Sequence, residues 1–224
     1  MEVSLPPTEY MRLVCGEQAN LRENFENAGR KLAEGLRNLG MLEPGSRLLD
    51  IGCGCGRIAR HLLDSPIAAY EGFDRHSGMI EWAQAHISAL DDRFRFQLVD
   101  VQSGYEELDS NVGTVSAAEF VFPYDDGAFT GALVASVFTH IDFPATSRYL
   151  SETARVLAPG GRVLATFFSG ETTGPMGGSG WNFVIQEDDL RDAIDGAGLE
   201  LLLLTPPVQP PSRHSWSLLK KPDA

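Results

Sequence analysis

The spacing of apolar residues along the chain predicts an alternation of helices and strands. Near the N-terminus, apolar side chains recur every three or four positions up to Gly40, which is typical of an amphipathic helix. Short apolar runs predict strands, and these lie at residues 47–51, 68–73, 94–99, 131–136, 162–168, 199–205 and 215–219. Helical periodicity predicts helices at residues 57–63, 77–90, 142–157 and 188–197. Strands that alternate with helices pair in parallel through right-handed crossovers, so we expect a doubly wound α/β fold.

The C-terminal third carries two further expectations. Residues 169–182 are rich in glycine and lack periodicity, which predicts a mobile insert, a lid with Trp181 at its end. The apolar run at 199–205 predicts a buried strand, and the prolines after it predict a hairpin that adds the last strand at the sheet edge. We divide the chain into an N-terminal helical cap segment, residues 1–44, and a main domain, residues 45–224.

Composition and charge narrow the classes of function. A chain of 224 residues with 43% hydrophobic residues has material for one good core. The formal net charge of −13 disfavours a nucleic-acid partner, because phosphates repel an acidic surface. The sequence has neither a run of about 20 apolar residues nor a signal-peptide pattern at its start, so we expect a cytoplasmic protein with no membrane partner. Its oligomeric state stays open.

The first candidate site is the loop Asp50-Ile51-Gly52-Cys53-Gly54-Cys55-Gly56, between a predicted strand and a predicted helix. Glycines at alternate positions let the backbone turn tightly and approach a ligand, and a following helix offers N–H groups. A purely steric turn is the alternative. The G-x-G-x-G spacing differs from the G-x-G-x-x-G fingerprint of dinucleotide sites, which disfavours a nicotinamide cofactor. Cys53 and Cys55 are too close for a disulfide, and we expect reduced thiols and no metal.

Two carboxylates follow at the ends of the next two predicted strands. Asp74 lies about 20 residues beyond the loop, where an acidic side chain accepts hydrogen bonds from both ribose hydroxyls in a doubly wound site. Its alternative role is to cap the next helix. Asp100 ends the third strand and is placed to accept from an adenine amino group. Ligands of open α/β sheets bind at this edge, so the two aspartates support a nucleotide-like cofactor.

Taken together, these motifs resemble the class I S-adenosylmethionine (SAM)-dependent methyltransferase family, over residues 45–219. The loop is similar to that family's first motif, Gly72-Phe73-Asp74 to its second, and Asp100-Val101 to its adenine-contact pair. The resemblance implies a seven-stranded sheet with the last strand antiparallel, SAM as cofactor and S-adenosylhomocysteine as product. The cofactor-binding residues that it implies are Asp50, Gly52, Cys53, Gly54, Gly56, Arg57, Asp74, Arg75, Met79, Asp100, Val101 and Ser136.

The sequence contains fewer motifs that bear on the identity of the methyl acceptor. Ser136-Val137-Phe138-Thr139 stands after the fourth predicted strand, where methyltransferases of amino groups and nucleobases carry Asn/Asp-Pro-Pro-Tyr. With the acidic charge, this indicates a small-molecule acceptor, and we expect an oxygen nucleophile. His140, just past that strand, is the candidate general base, with capping or packing as its alternative role.

Two other classes of function stay open at this point. A protein that binds SAM without turnover would keep the same cofactor motifs, and no unambiguous catalytic motif follows the fourth strand. A nicotinamide-dependent oxidoreductase on a related fold would account for the glycine loop alone, although the chain has no matching Tyr-x-x-x-Lys pair.

Overall fold

The computed structural model describes residues 3–102, 113–176, 182–206 and 214–223. The chain divides into two compact units, Met1–Val99 and Asp100–Ala224, called unit 1 and unit 2 below. The predicted mixed α/β architecture with mainly parallel strands and an antiparallel last strand is confirmed. None of the helices that the structure describes is long and apolar enough to span a membrane.

Unit 1 consists of two N-terminal helices followed by three parallel strands. The helices are α1 (Thr8–Cys15) and α2 (Leu21–Asn38), and the strands are β1 (Arg47–Ile51), β2 (Ala69–Asp74) and β3 (Phe94–Leu98), in the order β3-β2-β1. Helix α3 (Ser77–Ala83) runs into a π-helical turn (Gln84–Ser88) between β2 and β3. The apolar positions of β1 and β2 are buried, so the sequence pattern of these elements reflects their packing.

The predicted helix after the glycine loop, residues 57–63, is wrong. The structure has a single 3₁₀ turn there, Ala59–His61, whose end is held by amides that bond three residues back. The Arg93 guanidinium donates hydrogen bonds of 2.9–3.0 Å to three carbonyls that follow the turn, those of Leu63, Ser65 and Ile67. Arg93, on the approach to β3, therefore holds the segment that follows the turn.

Unit 2 contains the remaining strands and two helices. They are β4 (Phe129–Val134), α4 (Phe143–Val156), β5 (Leu157–Ser169), β6 (Gly174–Pro175), β7 (Phe183–Ile185), α5 (Glu187–Gly196), β8 (Glu200–Leu204) and β9 (His214–Lys220). β4 and β5 are parallel, and the parallel pair continues with β7 against the last two residues of β5. β6, inside the predicted insert, forms a short antiparallel pair with β7, which directly follows the insert. The rest of that insert, residues 177–181 with Trp181, lies outside the described residues.

The C-terminal hairpin differs from its prediction in two respects. β9 pairs antiparallel with β5 along Arg162–Phe168 and with β8 on its other side, so the last strand lies inside the sheet and not at its edge. β8 takes the outer position, and Leu202 and Leu203 are 49% and 53% exposed, so the prediction of a buried strand is wrong. An apolar run predicts a strand, but it does not reveal whether that strand lies inside the sheet or at its edge.

Helix α4 begins at the predicted cap and anchors the segment before β4. The Asp142 carboxylate accepts from the Ala145 N–H at 2.9 Å. Arg155, near the end of α4, donates to the carbonyls of Phe122 and Tyr124 at 3.0 and 2.8 Å, and Glu152 accepts from the Phe122 N–H at 2.9 Å. A charged pair on one helix therefore fixes the irregular chain that leads into β4.

One buried carboxylate lies within the sheet of unit 1. Asp50 is 1% exposed on β1, and the Tyr70 hydroxyl on β2 donates to it. Burial raises the pKa of the Asp50 carboxyl from its ordinary value of 3.8 to about 6, and the Tyr70 hydrogen bond and the Arg57 charge oppose that rise. The carboxylate thus forms part of the interior beneath the glycine loop.

We expect Asp50→Asn to gain stability over the wild type by an amount that grows with pH. The folded protein keeps the Asp50 proton to about pH 6 whereas the unfolded chain releases it near 3.8, so raising the pH between these values favours unfolding. The ionised form costs about 3 kcal/mol at pH 8, and roughly half of that at pH 5. Urea denaturation should show the gain growing by about 1–2 kcal/mol between pH 5 and pH 8.

The matched control is Asp92→Asn, which neutralises an exposed carboxylate in the same unit. Its stability difference from the wild type should stay nearly constant over the same pH range. An Asp50→Asn difference that is equally flat would contradict the assignment of a raised pKa to Asp50.

Candidate functional site

The glycine loop is folded against the end of β2 by its own backbone. Gly52, Gly54 and Gly56 have φ values of 73°, 53° and 74°, in the left-handed region that favours glycine. The N–H groups of Gly52 and Cys53 both donate to the Phe73 carbonyl, at 3.0 and 3.1 Å. The alternating glycines are therefore required by the path of the chain, and the same path brings the loop to the carboxyl end of the strand.

Asp74 ties the loop to β2 and keeps capacity for a ligand. Its carboxylate accepts from the Gly54 N–H at 2.8 Å and from the His76 N–H at 2.9 Å. An ionised carboxylate offers about four lone-pair directions, and the Arg75 N–H is a third backbone donor, so capacity remains for at least one further donor such as a hydroxyl. Burial raises the pKa of this carboxyl, and the backbone hydrogen bonds from His76, Gly54 and Arg75 oppose the rise. The helix after β2 is capped by the His76 ring, through Met79 N–H, and not by Asp74.

The two loop cysteines are free and unreactive. Burial raises the pKa of the Cys53 thiol well above its ordinary value and that of Cys55 to about 12. A Cβ on Gly72 would lie 2.8 Å from the Cys53 Cβ, so this glycine lets β2 approach the loop. Gly72 stands in the second motif, and the structure reveals the steric reason for a glycine there.

Residues of the N-terminal helices pack on the loop. Met11 and Phe25 are fully buried in a cluster with Cys55 and Met79. A Cβ on Gly54 would lie 3.3 Å from Val14 Cγ2 and 3.5 Å from Met79 Sδ. Met79, one of the residues that the resemblance assigns to cofactor binding, thus lies directly beside the middle glycine of the loop.

Arg57 carries a buried polar group that lacks a partner. Its Nη1 contacts Cys15 Sγ at 3.7 Å, but its Nε is buried and has no hydrogen-bond acceptor within the described part of the chain. Arg60, which follows on the same turn, forms an ion pair with Glu26 at 2.7 Å. Because buried N–H groups in native structures are nearly always paired, Arg57 fits a site that receives an anionic ligand group.

At the start of unit 2, Asp100 and Val101 are held by one neighbouring segment. The exposed Asp100 carboxylate accepts from the Thr114 N–H at 2.7 Å and from the Thr114 hydroxyl, and both hydrogen bonds lower its pKa. Val101 is buried and forms a parallel bridge with Val115. The predicted adenine-contact pair is thus fixed in position, and its role stays a prediction.

Ser136 and His140 lie in one turn beyond the end of β4. The sequence predicted that Ser136 would be the last residue of this strand. The strand ends at Val134, so Ser136 lies beyond it. Ser136 has a φ of 65°, and its N–H donates to Thr166 Oγ1 at 2.7 Å. The His140 N–H donates to the Val137 carbonyl at 2.8 Å. The two residues share the turn, but the Ser136 hydroxyl bonds elsewhere.

The partner of the Ser136 hydroxyl is His214, which the sequence did not single out. Ser136 Oγ lies 3.3 Å from His214 Nε2. His214 opens β9 opposite Phe168 on β5, and the two ring centroids are 4.7 Å apart. The pair is separated by 78 residues in the chain, and only the β5–β9 register reveals it.

A cavity of about 370 Å³ lies at the same end of β5 in unit 2. Its walls combine apolar side chains, Phe168, Met176 and Val184, with the hydroxyl residues Ser169 and Thr172. A volume of this size is large enough to admit a small organic molecule.

Comparisons with known proteins agree with these features. The family model described as a methyltransferase domain matches residues 49–165, more than half of the chain. Two curated relatives are 28% identical: phosphoethanolamine N-methyltransferase 2 of Caenorhabditis elegans, over 59% of this chain and 26% of the relative, and 27-O-demethylrifamycin SV methyltransferase of Amycolatopsis mediterranei (strain S699), over 62% and 44%. The chain therefore spans less than half the length of either relative.

Solved structures show the same fold. The 1,6-didemethyltoxoflavin-N1-methyltransferase of Burkholderia thailandensis, solved with 1,6-didemethyltoxoflavin and S-adenosylhomocysteine bound, has a TM-score of 0.64 and 18% identity. The similarity covers 98% of this chain and 92% of that one. On the family match and this fold, the chain belongs to the methyltransferase domain family, with the class I, Rossmann-like architecture whose cofactor is SAM.

Proposed function

We propose that this chain transfers the methyl group of SAM to a small-molecule acceptor, and that the acceptor atom is a hydroxyl oxygen. The observation that carries the cofactor half is the glycine loop anchored by Asp74, whose carboxylate keeps acceptor capacity for a ligand. SAM supplies an electrophilic sulfonium methyl group, so the chain's task is to bind, orient and exclude water.

The residues predicted to bind the cofactor would each hold a different part of it. Asp74 would accept the ribose hydroxyls, and Arg57, with its buried unpartnered Nε, would meet the carboxylate of the methionine portion. Met79 and Val101 would offer apolar surface to adenine, and Asp100 an acceptor for its amino group. Gly52, Cys53, Gly54 and Gly56 would line the loop, and Arg75 and Ser136 complete the predicted set.

A small acceptor is supported by the cavity of about 370 Å³ and by the acidic net charge of −13. The named relatives include both an N- and an O-methylation system, so they do not choose the acceptor atom. We choose oxygen because the residues after β4 lack the Asn/Asp-Pro-Pro-Tyr pattern of amino-group methyltransferases. A hydroxyl acceptor needs a base, and His140 is the candidate that the sequence supplies.

We expect Asp74→Ala to weaken binding of SAM and S-adenosylhomocysteine by roughly 30-fold or more, about 2 kcal/mol, because it removes two hydrogen bonds to a charged acceptor. Isothermal titration calorimetry of the purified protein measures this directly. Asp92→Ala, which removes an exposed carboxylate of unit 1, should bind like the wild type. Equal affinity of Asp74→Ala and wild type would contradict the assigned site, and binding of NADH in place of SAM would favour an oxidoreductase.

The acceptor is found by measuring S-adenosylhomocysteine release with a panel of small molecules. The panel pairs hydroxyl compounds with their amine counterparts, and we expect turnover on hydroxyl members only. Turnover on amines alone would contradict the oxygen acceptor. Tight SAM binding without turnover on any member would favour a protein that binds SAM without transferring its methyl group.

A further inference from the structure

The backbone at Ser136 is strained in a way that its surroundings maintain. It is the only residue other than glycine with a positive φ in the part of the chain that the structure describes. A non-glycine residue in this region costs about 1–3 kcal/mol, and such residues cluster at functional sites. Thr166 Oγ1 accepts the Ser136 N–H at 2.7 Å, and the Thr139 hydroxyl donates to the Ser136 carbonyl at 3.0 Å. Two threonines thus fix the direction of one serine side chain.

That direction leads to His214. With the imidazole proton on Nδ1, His214 Nε2 accepts from the Ser136 hydroxyl, whose oxygen is 3.3 Å away. The ring is positioned by Phe168, and the following residue, Ser215, accepts a hydrogen bond from Ser169 at 2.7 Å. The start of β9 is therefore fixed to β5 by both a ring contact and a hydroxyl pair.

The histidine is connected to the cavity through Phe168. Phe168, which contacts the His214 ring, is also part of the cavity wall, and Ser169 follows it there. Ser136 stands at the carboxyl end of β4, the edge where open α/β sheets bind ligands. A histidine bonded to a serine hydroxyl at such an edge is an arrangement for moving a proton.

We propose that Ser136 and His214 form the proton-accepting pair for the hydroxyl of the methyl acceptor. This inference rests on the proposed function. The acceptor oxygen forms a bond to the methyl carbon while the carbon–sulfur bond breaks, and that electron pair stays on sulfur. The acceptor proton passes to Ser136 Oγ, and the Ser136 proton passes to His214 Nε2. The products are the methyl ether, S-adenosylhomocysteine and the His214 imidazolium, so atoms and charge balance. Ser136 contacts the acceptor, and His214 acts through it as a positioning and proton-accepting residue.

The test compares three variants in the S-adenosylhomocysteine release assay. His214→Gln removes the base, Ser136→Gly removes the hydroxyl while leaving a residue that adopts a φ of 65° readily, and His86→Gln is a control in unit 1. We expect kcat to fall about 100-fold in the first two, with the KM for the acceptor changed less than threefold, and we expect His214→Gln to keep the SAM affinity of the wild type. His86→Gln should match the wild type.

A chemical readout separates proton acceptance from a structural role. The panel contains phenols and their nitro-substituted analogues, which are far more acidic and give up the proton to water. The loss of kcat in His214→Gln and Ser136→Gly should shrink at least tenfold on the nitro compounds, whereas a damaged pocket would affect both members of a pair equally. Circular dichroism and SAM calorimetry establish that the variants are folded.

Several results would overturn the inference. These are wild-type kcat in His214→Gln, equal losses on both members of each acceptor pair, a fall in His140→Asn but not in His214→Gln, and turnover restricted to amines. Absence of SAM binding in the wild type would instead overturn the proposed function itself, so the two failures are distinguishable.

Discussion

Three hydrogen bonds, all donated by backbone N–H groups of the glycine loop, determine the shape of the proposed cofactor site at the end of β2. Gly52 and Cys53 both donate to the Phe73 carbonyl, and Gly54 donates to the Asp74 carboxylate. The first two make the chain reverse directly over the neighbouring strand, which requires positive φ values and therefore glycine. The third holds the acidic side chain at the turn. Shape and polarity of the site thus come from one contact between consecutive parallel strands.

Burial gives the carboxylates of unit 1 different tasks. Asp50 is enclosed between β1 and β2, where loss of solvation raises its pKa to about 6 and Tyr70 is its hydrogen-bond donor. Asp74 is half-buried at the strand end, and backbone N–H groups stabilise its charge. The first residue supports the loop from below, and the second retains acceptor capacity on the side where ligands of such sheets bind. The family resemblance assigned both to cofactor binding, but their surroundings differ.

In unit 2, the register between β5 and β9 sets the geometry of the Ser136–His214 pair. The antiparallel pairing of β9 with β5 sets His214 opposite Phe168 and within 3.3 Å of the Ser136 hydroxyl. If β9 lay at the outer edge, as the sequence suggested, β8 would lie beside β5 and His214 would not be paired opposite Phe168. The position of one strand in the sheet therefore decides that His214 is the partner of the Ser136 hydroxyl.

The sequence by itself determined the features that depend on neighbours along the chain. It located β1, β2, β3, the Asp142 cap of α4 and the loop glycines, because periodicity, capping and left-handed turns are local properties. Tertiary structure decided the rest. A 3₁₀ turn replaced the helix predicted after the loop, and β9 entered the sheet between β5 and β8. The Ser136–His214 pair joins residues 78 positions apart, and no local pattern encodes such a pairing.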